Sequence, residues 1–182
     1  PTRGGRSSDA PARAATSLTQ NAFAAAPVLY CKEVVEAGAD VSAIVVNSGC
    51  ANACTGPEGM EDCREMAAIT ARMLGLDGPA SVMVSSTGRI GTRLPMDLIE
   101  HGIDLAAASI SNMGSIAAAE AIMTTDSISK SYAVELELRG KIITIGGMAK
   151  GAGMIAPNMK TVPHATMLSY ITTDACVARD AL

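Results

Sequence analysis

A chain of 182 residues, 48% of them hydrophobic, can bury a core, and it reads as one domain or most of one, neither disordered nor fibrous. Its net charge of -4 without a run of like charges leaves no footprint for nucleic acid or an anionic membrane. No apolar stretch reaches the roughly 18–20 residues of a membrane span, so a soluble protein working on small molecules is the expectation.

Aromatics are only 2% of the residues, whereas Gly (17) and Met (11) are abundant, so the core must be packed from small and flexible side chains. Residues 1–13 carry three Arg and two Ser but no apolar signal-peptide core, and read as a trimmed end. The five cysteines, Cys31, Cys50, Cys54, Cys63 and Cys176, contain no CxxC pair and read as reduced, structural thiols. Cys50 and Cys54 have the spacing of one helical turn. With only His101 and His164 beside them and no second ligand pair, no metal site is expected.

In chain order, the run Val41-Ser42-Ala43-Ile44-Val45-Val46-Asn47 is short and β-branched and closes on Ser48-Gly49, the pattern of a buried strand entering a turn. Over 58–74, Met60, Cys63, Met66, Ala67, Thr70, Met73 and Leu74 recur at helical spacing before a stop at Gly75. Residues 81–85 form a second short strand, with Thr87-Gly88-Arg89-Ile90-Gly91 as the loop at its end. The pattern is helical over 94–101 and again over the Ala-rich 110–123, which ends at Thr124-Thr125-Asp126. Then Tyr132, Val134, Leu136 and Leu138 alternate with Ala133, Glu135, Glu137 and Arg139, and Arg139-Gly140 turns the chain into a second strand over 141–147. A Gly- and Met-rich loop over 146–157 and a last strand over 166–172 follow. The class is α+β, with helices layered on antiparallel sheets.

Acyl transfer needs a nucleophile, a group to take its proton, and donors aimed at the oxygen that becomes negative. No Gly-x-Ser-x-Gly elbow is present and the two histidines lie in no triad context. A Thr or Ser whose own freed amine acts as base is the economical remaining solution, and it requires cutting the chain just before that residue.

Lys150-Gly151-Ala152-Gly153-Met154-Ile155-Ala156-Pro157-Asn158-Met159, with Ala165-Thr166-Met167-Leu168 downstream, resembles the signature of the ornithine acetyltransferases, also called glutamate N-acetyltransferases. Further matches are Thr19-Gln20-Asn21, Ala25-Ala26-Pro27-Val28, the run Asn47-Ser48-Gly49-Cys50-Ala51-Asn52-Ala53-Cys54-Thr55-Gly56, Ser86-Thr87-Gly88-Arg89-Ile90-Gly91, Leu94-Pro95-Met96-Asp97, Ala121-Ile122-Met123-Thr124-Thr125-Asp126 and Thr172-Thr173-Asp174-Ala175. The resemblance thus covers about residues 16–175. It implies a layered αββα sandwich like that of self-processing N-terminal-nucleophile enzymes. A precursor would cut itself between Ala165 and Thr166, leaving a first (alpha) subunit to Ala165 and the start of a second (beta) subunit from Thr166. Thr166 would then carry acetyl from N-acetyl-L-ornithine to L-glutamate in arginine biosynthesis.

Thr87 and Gly88 match the family's oxyanion hole, and Lys150, Thr124, Thr125 and Thr166 its substrate contacts. A Thr-Gly turn after a strand presents a hydroxyl and an unobstructed N–H to one point, and a lysine can hold a substrate carboxylate or steady charge near the nucleophile. On local sequence alone, Thr87-Gly88 is an ordinary turn, Lys150 a solvated side chain and Thr124-Thr125-Asp126 a helix end. Asn47, Asn52 and Thr55 have the look of residues that bond their own loop. The resemblance implies no metal or organic cofactor, although some members take acetyl-CoA as an additional donor. It also implies a partner, the remainder of the second subunit, with the alpha/beta pairs dimerising into a heterotetramer. A cytoplasm and a mitochondrial or plastid matrix, all reducing, fit equally.

The sequence departs from the family where Lys160, Thr161, Val162, Pro163 and His164 stand between Met159 and Ala165. Counted from Lys150, Thr161 takes the place of the nucleophile; counted from downstream, Thr166 does. Thr166 is preferred, because self-cleavage needs a strained turn that small Ala165 tolerates better than Lys160 does. Two other functions remain open: a self-processing aminopeptidase or amidase, in which water takes the acyl group, and a catalytically silent assembly subunit.

Overall fold

The β-branched run beginning at Val41 forms the middle of a three-stranded sheet in the computed structural model, which describes residues 6–151 and 167–182. This first sheet holds β1 (Arg6–Ala12), β2 (Val41–Cys50) and β3 (Val82–Arg89) in that order. β1 is antiparallel to β2, but β2 and β3 are parallel, which corrects the expectation of antiparallel sheets throughout. The physical reason lies between them. Helix α2 (Gly56–Leu74) carries the chain back across the sheet, so β3 must restart in the direction of β2.

α2 follows the amphipathic pattern. Glu58 in its first turn and Arg72 in its last complement the helix dipole, and Gly75 closes it in the left-handed conformation. Its buried stripe, including Cys63, Met66, Ala67 and Ile69, packs with Tyr30, Cys31 and Val34 of α1 (Ala26–Glu36) and with Val82 and Val84 of β3. Burial pushes the Cys31 and Cys63 thiols up from their ordinary range, and the Cys31 thiol donates to the Val84 carbonyl at 3.1 Å. All five cysteines are free, and these two serve as core side chains. Neither α1 nor β1 stands among the elements expected from sequence. The β1 segment has no apolar alternation and is a strand because the edge of β2 offers it partners, at Ile44 and Ala43.

The second sheet, β4 (Lys130–Leu138), β5 (Lys141–Lys150) and β6 (Leu168–Thr173), is antiparallel throughout. β4 and β5 form the expected hairpin, and Arg139 and Gly140, with φ of 53° and 74°, make the two-residue turn whose twist suits such a hairpin. β5 runs on to Lys150, so the segment expected as a loop from residue 146 is strand for five residues more. The last strand starts at Leu168 rather than at residue 166. Along the chain, α3 (Met96–Ala108) and α4 (Ser115–Ala121) connect the first sheet to the second. α3 outruns the expected 94–101, whereas the expected helix over 110–123 shrinks to seven residues, because a turn closing on Gly114 precedes it.

The fold is α+β, helices layered on sheets. β2, α2, α3, α4, β5 and β6 together line a cavity of about 470 Å³, with Val45, Met66, Ile103, Ala118, Met148 and Tyr170 among its walls. Among the described residues no helix is long and apolar enough to cross a membrane.

Candidate active site

Parallel pairing of β2 and β3 brings their C-terminal ends side by side, with Ser48 opposite Thr87 and Gly49 opposite Gly88. Register then slips, and Cys50 pairs with both Thr87 and Arg89, the mark of a bulge. Thr87 and Gly88 are therefore the last turn of a strand, which corrects their expected place in a loop. Gly88 has a φ of +132°, and a Cβ added there would lie 2.3 Å from the Gly49 carbonyl carbon. Only glycine permits this approach of the two strands.

The loop from β2 to α2 is fastened to the end of β3. The Ala51 N–H donates to the Arg89 carbonyl and the Gly91 N–H to the Ala53 carbonyl, both at 2.8 Å. Asn47 Nδ2 donates to the Cys50 carbonyl, Thr55 Oγ1 to Asn52 Oδ1, and Asn52 Nδ2 to the Gly59 carbonyl. Asn47 and Thr55 bond within the loop, and Asn52 ties it to the first turn of α2. On the far side, Arg93 grips the buried Asp62 of α2 with Nη2 at 2.5 Å and Nε at 3.2 Å, fixing the chain that leaves β3.

Lys150 ends β5 and reaches the first sheet. Its side chain lies buried, at 4% exposure, beside Thr87 at 2%. Nζ donates to Thr87 Oγ1 at 3.0 Å and to Thr124 Oγ1 at 2.8 Å. Three positions that stand 63 and 26 residues from one another in hydrogen-bonded pairs thus meet at one amine. The solvated lysine that local sequence favours is not what the fold makes. Thr125 does not join them: exposed like Thr124, it has among the described residues no hydrogen bond that ties it to the cluster. Ala165, Thr166, Thr161 and the rest of residues 160–164 lie outside the described residues. The described chain resumes at Met167, and Leu168 pairs with Lys150.

One group in this region has no role in the sequence reading. Asp126, whose side chain is completely buried, accepts at Oδ1 from Lys130 Nζ at 2.7 Å and from the Gly151 N–H at 2.8 Å. The Lys130 ammonium first, then the Gly151 N–H, hold its carboxyl down at about 2. Asp126 closes the family-matching run 121–126, which gives it no role by itself, and an Asp four residues before a Lys is a spacing common on any surface.

Comparison with known proteins gives a consistent picture. The sequence profile described as ArgJ family matches residues 6–182. The chain is 51% identical over 172 residues to the arginine biosynthesis bifunctional protein ArgJ of Symbiobacterium thermophilum, covering 94% of this chain and 41% of that protein. It is 49% identical to the ArgJ of Thermotoga neapolitana, covering 96% and 43%. It therefore spans less than half the length of these relatives. Among solved structures it is similar to the Bacillus halodurans arginine biosynthesis bifunctional protein, with a TM-score of 0.76 at 37% identity over 89% of this chain and 80% of that one. It is also similar to the Mycobacterium tuberculosis ornithine acetyltransferase complexed with ornithine, at 0.70 and 35% over 89% and 81%.

Proposed function

Because the chain belongs to the ArgJ family, we propose that it forms the nucleophile-bearing part of a glutamate N-acetyltransferase, which moves acetyl from N-acetyl-L-ornithine to L-glutamate through an ester of Thr166. The observation that carries this reading is the buried Lys150 amine bonded to both Thr87 and Thr124, directly before the segment that holds the threonine.

After cleavage of the Ala165–Thr166 bond, the freed amine of Thr166 takes the proton of its own hydroxyl as the oxygen attacks the acetyl carbonyl. The carbonyl oxygen becomes an oxyanion and accepts from the Thr87 hydroxyl and the Gly88 N–H. Lys150 makes Thr87 fit for this. Its Nζ occupies a lone pair of Thr87 Oγ1, which leaves the hydroxyl proton free to point elsewhere. When the tetrahedral intermediate collapses, the C–N bond breaks, the proton passes to the departing amine, and ornithine leaves. The glutamate amine then attacks the ester and the same steps run in reverse, restoring the Thr166 hydroxyl. No metal or organic cofactor enters this sequence, and the same ester chemistry admits the acetyl-CoA that some members of the family take as an additional donor. The rest of the second subunit is the partner, with dimerised alpha/beta pairs as the assembly.

Intact mass spectrometry on protein expressed from the complete gene tests the reading. Two fragments should meet at Thr166, and with N-acetylornithine but no glutamate the fragment beginning there should gain about 42 Da, one acetyl group, because a covalent intermediate stays on its nucleophile. Rapid loss of that label to water would indicate an amidase. A fragment that never gains it, in protein shown to fold, would sink the reading in favour of a silent subunit, and label on a fragment beginning at Thr161 would move the nucleophile.

A further inference from the structure

We propose that Asp126 is a positioning residue for acyl transfer, clamping the end of β5 to the Thr124 turn so that the Lys150 amine stays on Thr87; this rests on the reading of Thr87 and Lys150 above. The carboxylate touches the backbone on both sides of that amine. Its Oδ1 accepts from the N–H of Gly151, the residue after Lys150, at 2.8 Å. Its Oδ2 faces the N–H of Thr124, the residue whose hydroxyl takes the other Lys150 bond, at 3.5 Å.

A buried carboxylate without compensation would destabilise the fold, and here the compensation is local. Lys130 Nζ lies 2.7 Å away, on a residue that pairs with Ala149 across the hairpin. One carboxylate therefore ties the start of β4, the end of β5 and the turn after α4 into one corner. Asp126 is not itself a proton carrier. It is sealed from solvent, its near partners are all donors, and a carboxyl held at about 2 is too weak a base at neutral pH. Its effect on the reaction must pass through the placement of the Lys150 amine, which the Thr124 turn steadies, on Thr87.

Steady-state kinetics on protein from the complete gene test this with four variants: Asp126→Ala, Asp126→Asn, Thr87→Val and the double variant Asp126→Ala/Thr87→Val. Asp126→Ala should lower kcat about 10-fold or more with KM nearly unchanged, since a small misplacement of an electrostatic group costs rate before it costs binding. Asp126→Asn keeps an oxygen acceptor for the Gly151 N–H and should recover most of that loss. The double variant should be no slower than Thr87→Val alone, because Asp126 acts through a hydroxyl already removed. If the alanine variant does not fold, the asparagine variant carries the same cycle with a smaller first loss. Full turnover of Asp126→Ala, or additive losses in the double variant, overturns the inference while the reading stands. Full turnover of Thr87→Val overturns the reading itself and the inference with it.

Discussion

The two sheets differ in what covers them. In the first sheet, α1 and α2 lie over β2 and β3, Val82 and Val84 are sealed, and the buried polar residues Ser86 and Thr87 cluster at the C-terminal end of β3. In the second, β4 alternates as cleanly as any strand in the chain, yet Tyr132 is 79% exposed and Leu136 and Leu138 stand open as well. Period-two alternation thus marks a strand but does not say that its apolar face is covered. In the covered sheet the Thr87 side chain sits in the dry surroundings that make one hydrogen bond to a developing charge valuable.

The contrast can be broken first at the core of the covered sheet. Met66→Ala empties a fully buried position on α2 and should lower stability by roughly 2–5 kcal/mol in denaturant unfolding; a loss as small as that of an exposed residue would mean that α2 does not hold the sheet. Next, Thr87→Val should cut kcat by roughly 10²-fold or more with little change in KM, as expected when a donor acts on charge that exists only in the intermediate. A variant with normal turnover would remove Thr87 from the site.

Gly88→Ala should destabilise by about 1–3 kcal/mol, because it forces a Cβ into a left-handed position against Gly49. It should also slow the reaction, since the strand ends must part. Unchanged melting would show that the bulge has another arrangement available to it.

A smaller effect concerns acid. The carboxyl of Asp126 is lowered from the ordinary 3.8 to about 2 by Lys130 and the Gly151 N–H. Its folded value lies below its unfolded one, so its contribution is fully present above about pH 4 and disappears as pH falls towards 2. Melting curves across that window should show a decline in the unmodified protein that is shallower in Asp126→Asn, and parallel declines would mean that Lys130 and the Gly151 N–H do not hold this carboxyl down. Smallest of all, Leu136→Ser on the open sheet should change stability by no more than about 0.5 kcal/mol. A larger loss in the isolated chain would show that β4 is buried after all.

Much of this architecture was legible. The hairpin, with its Arg139-Gly140 turn, and the stripe of α2 ending at Gly75 both follow from chemistry that operates within a few residues. β1 was not legible, because its strand depends on a neighbour more than thirty residues away. The parallel register of β2 and β3 was also missed, since each run looks the same in either direction. Thr87, Gly88, Thr124, Thr125 and Lys150 stand out in the sequence through family resemblance, whereas the partners of Asp126, Gly151 among them, are brought to it only by folding.

The sequence alone therefore determined α2, the β4–β5 hairpin, the α+β class and the residue types from which a threonine-based acyl transfer can be assembled, because periodicity, caps and turns are local and the signature is a linear string. Only the tertiary structure decided that Lys150 is buried and shared between Thr87 and Thr124, that Thr125 stands apart, and that Asp126 lies under the same corner. Hydrogen bonds that close across 63 and 26 residues depend on how two sheets stack, and no pattern shorter than the fold specifies that.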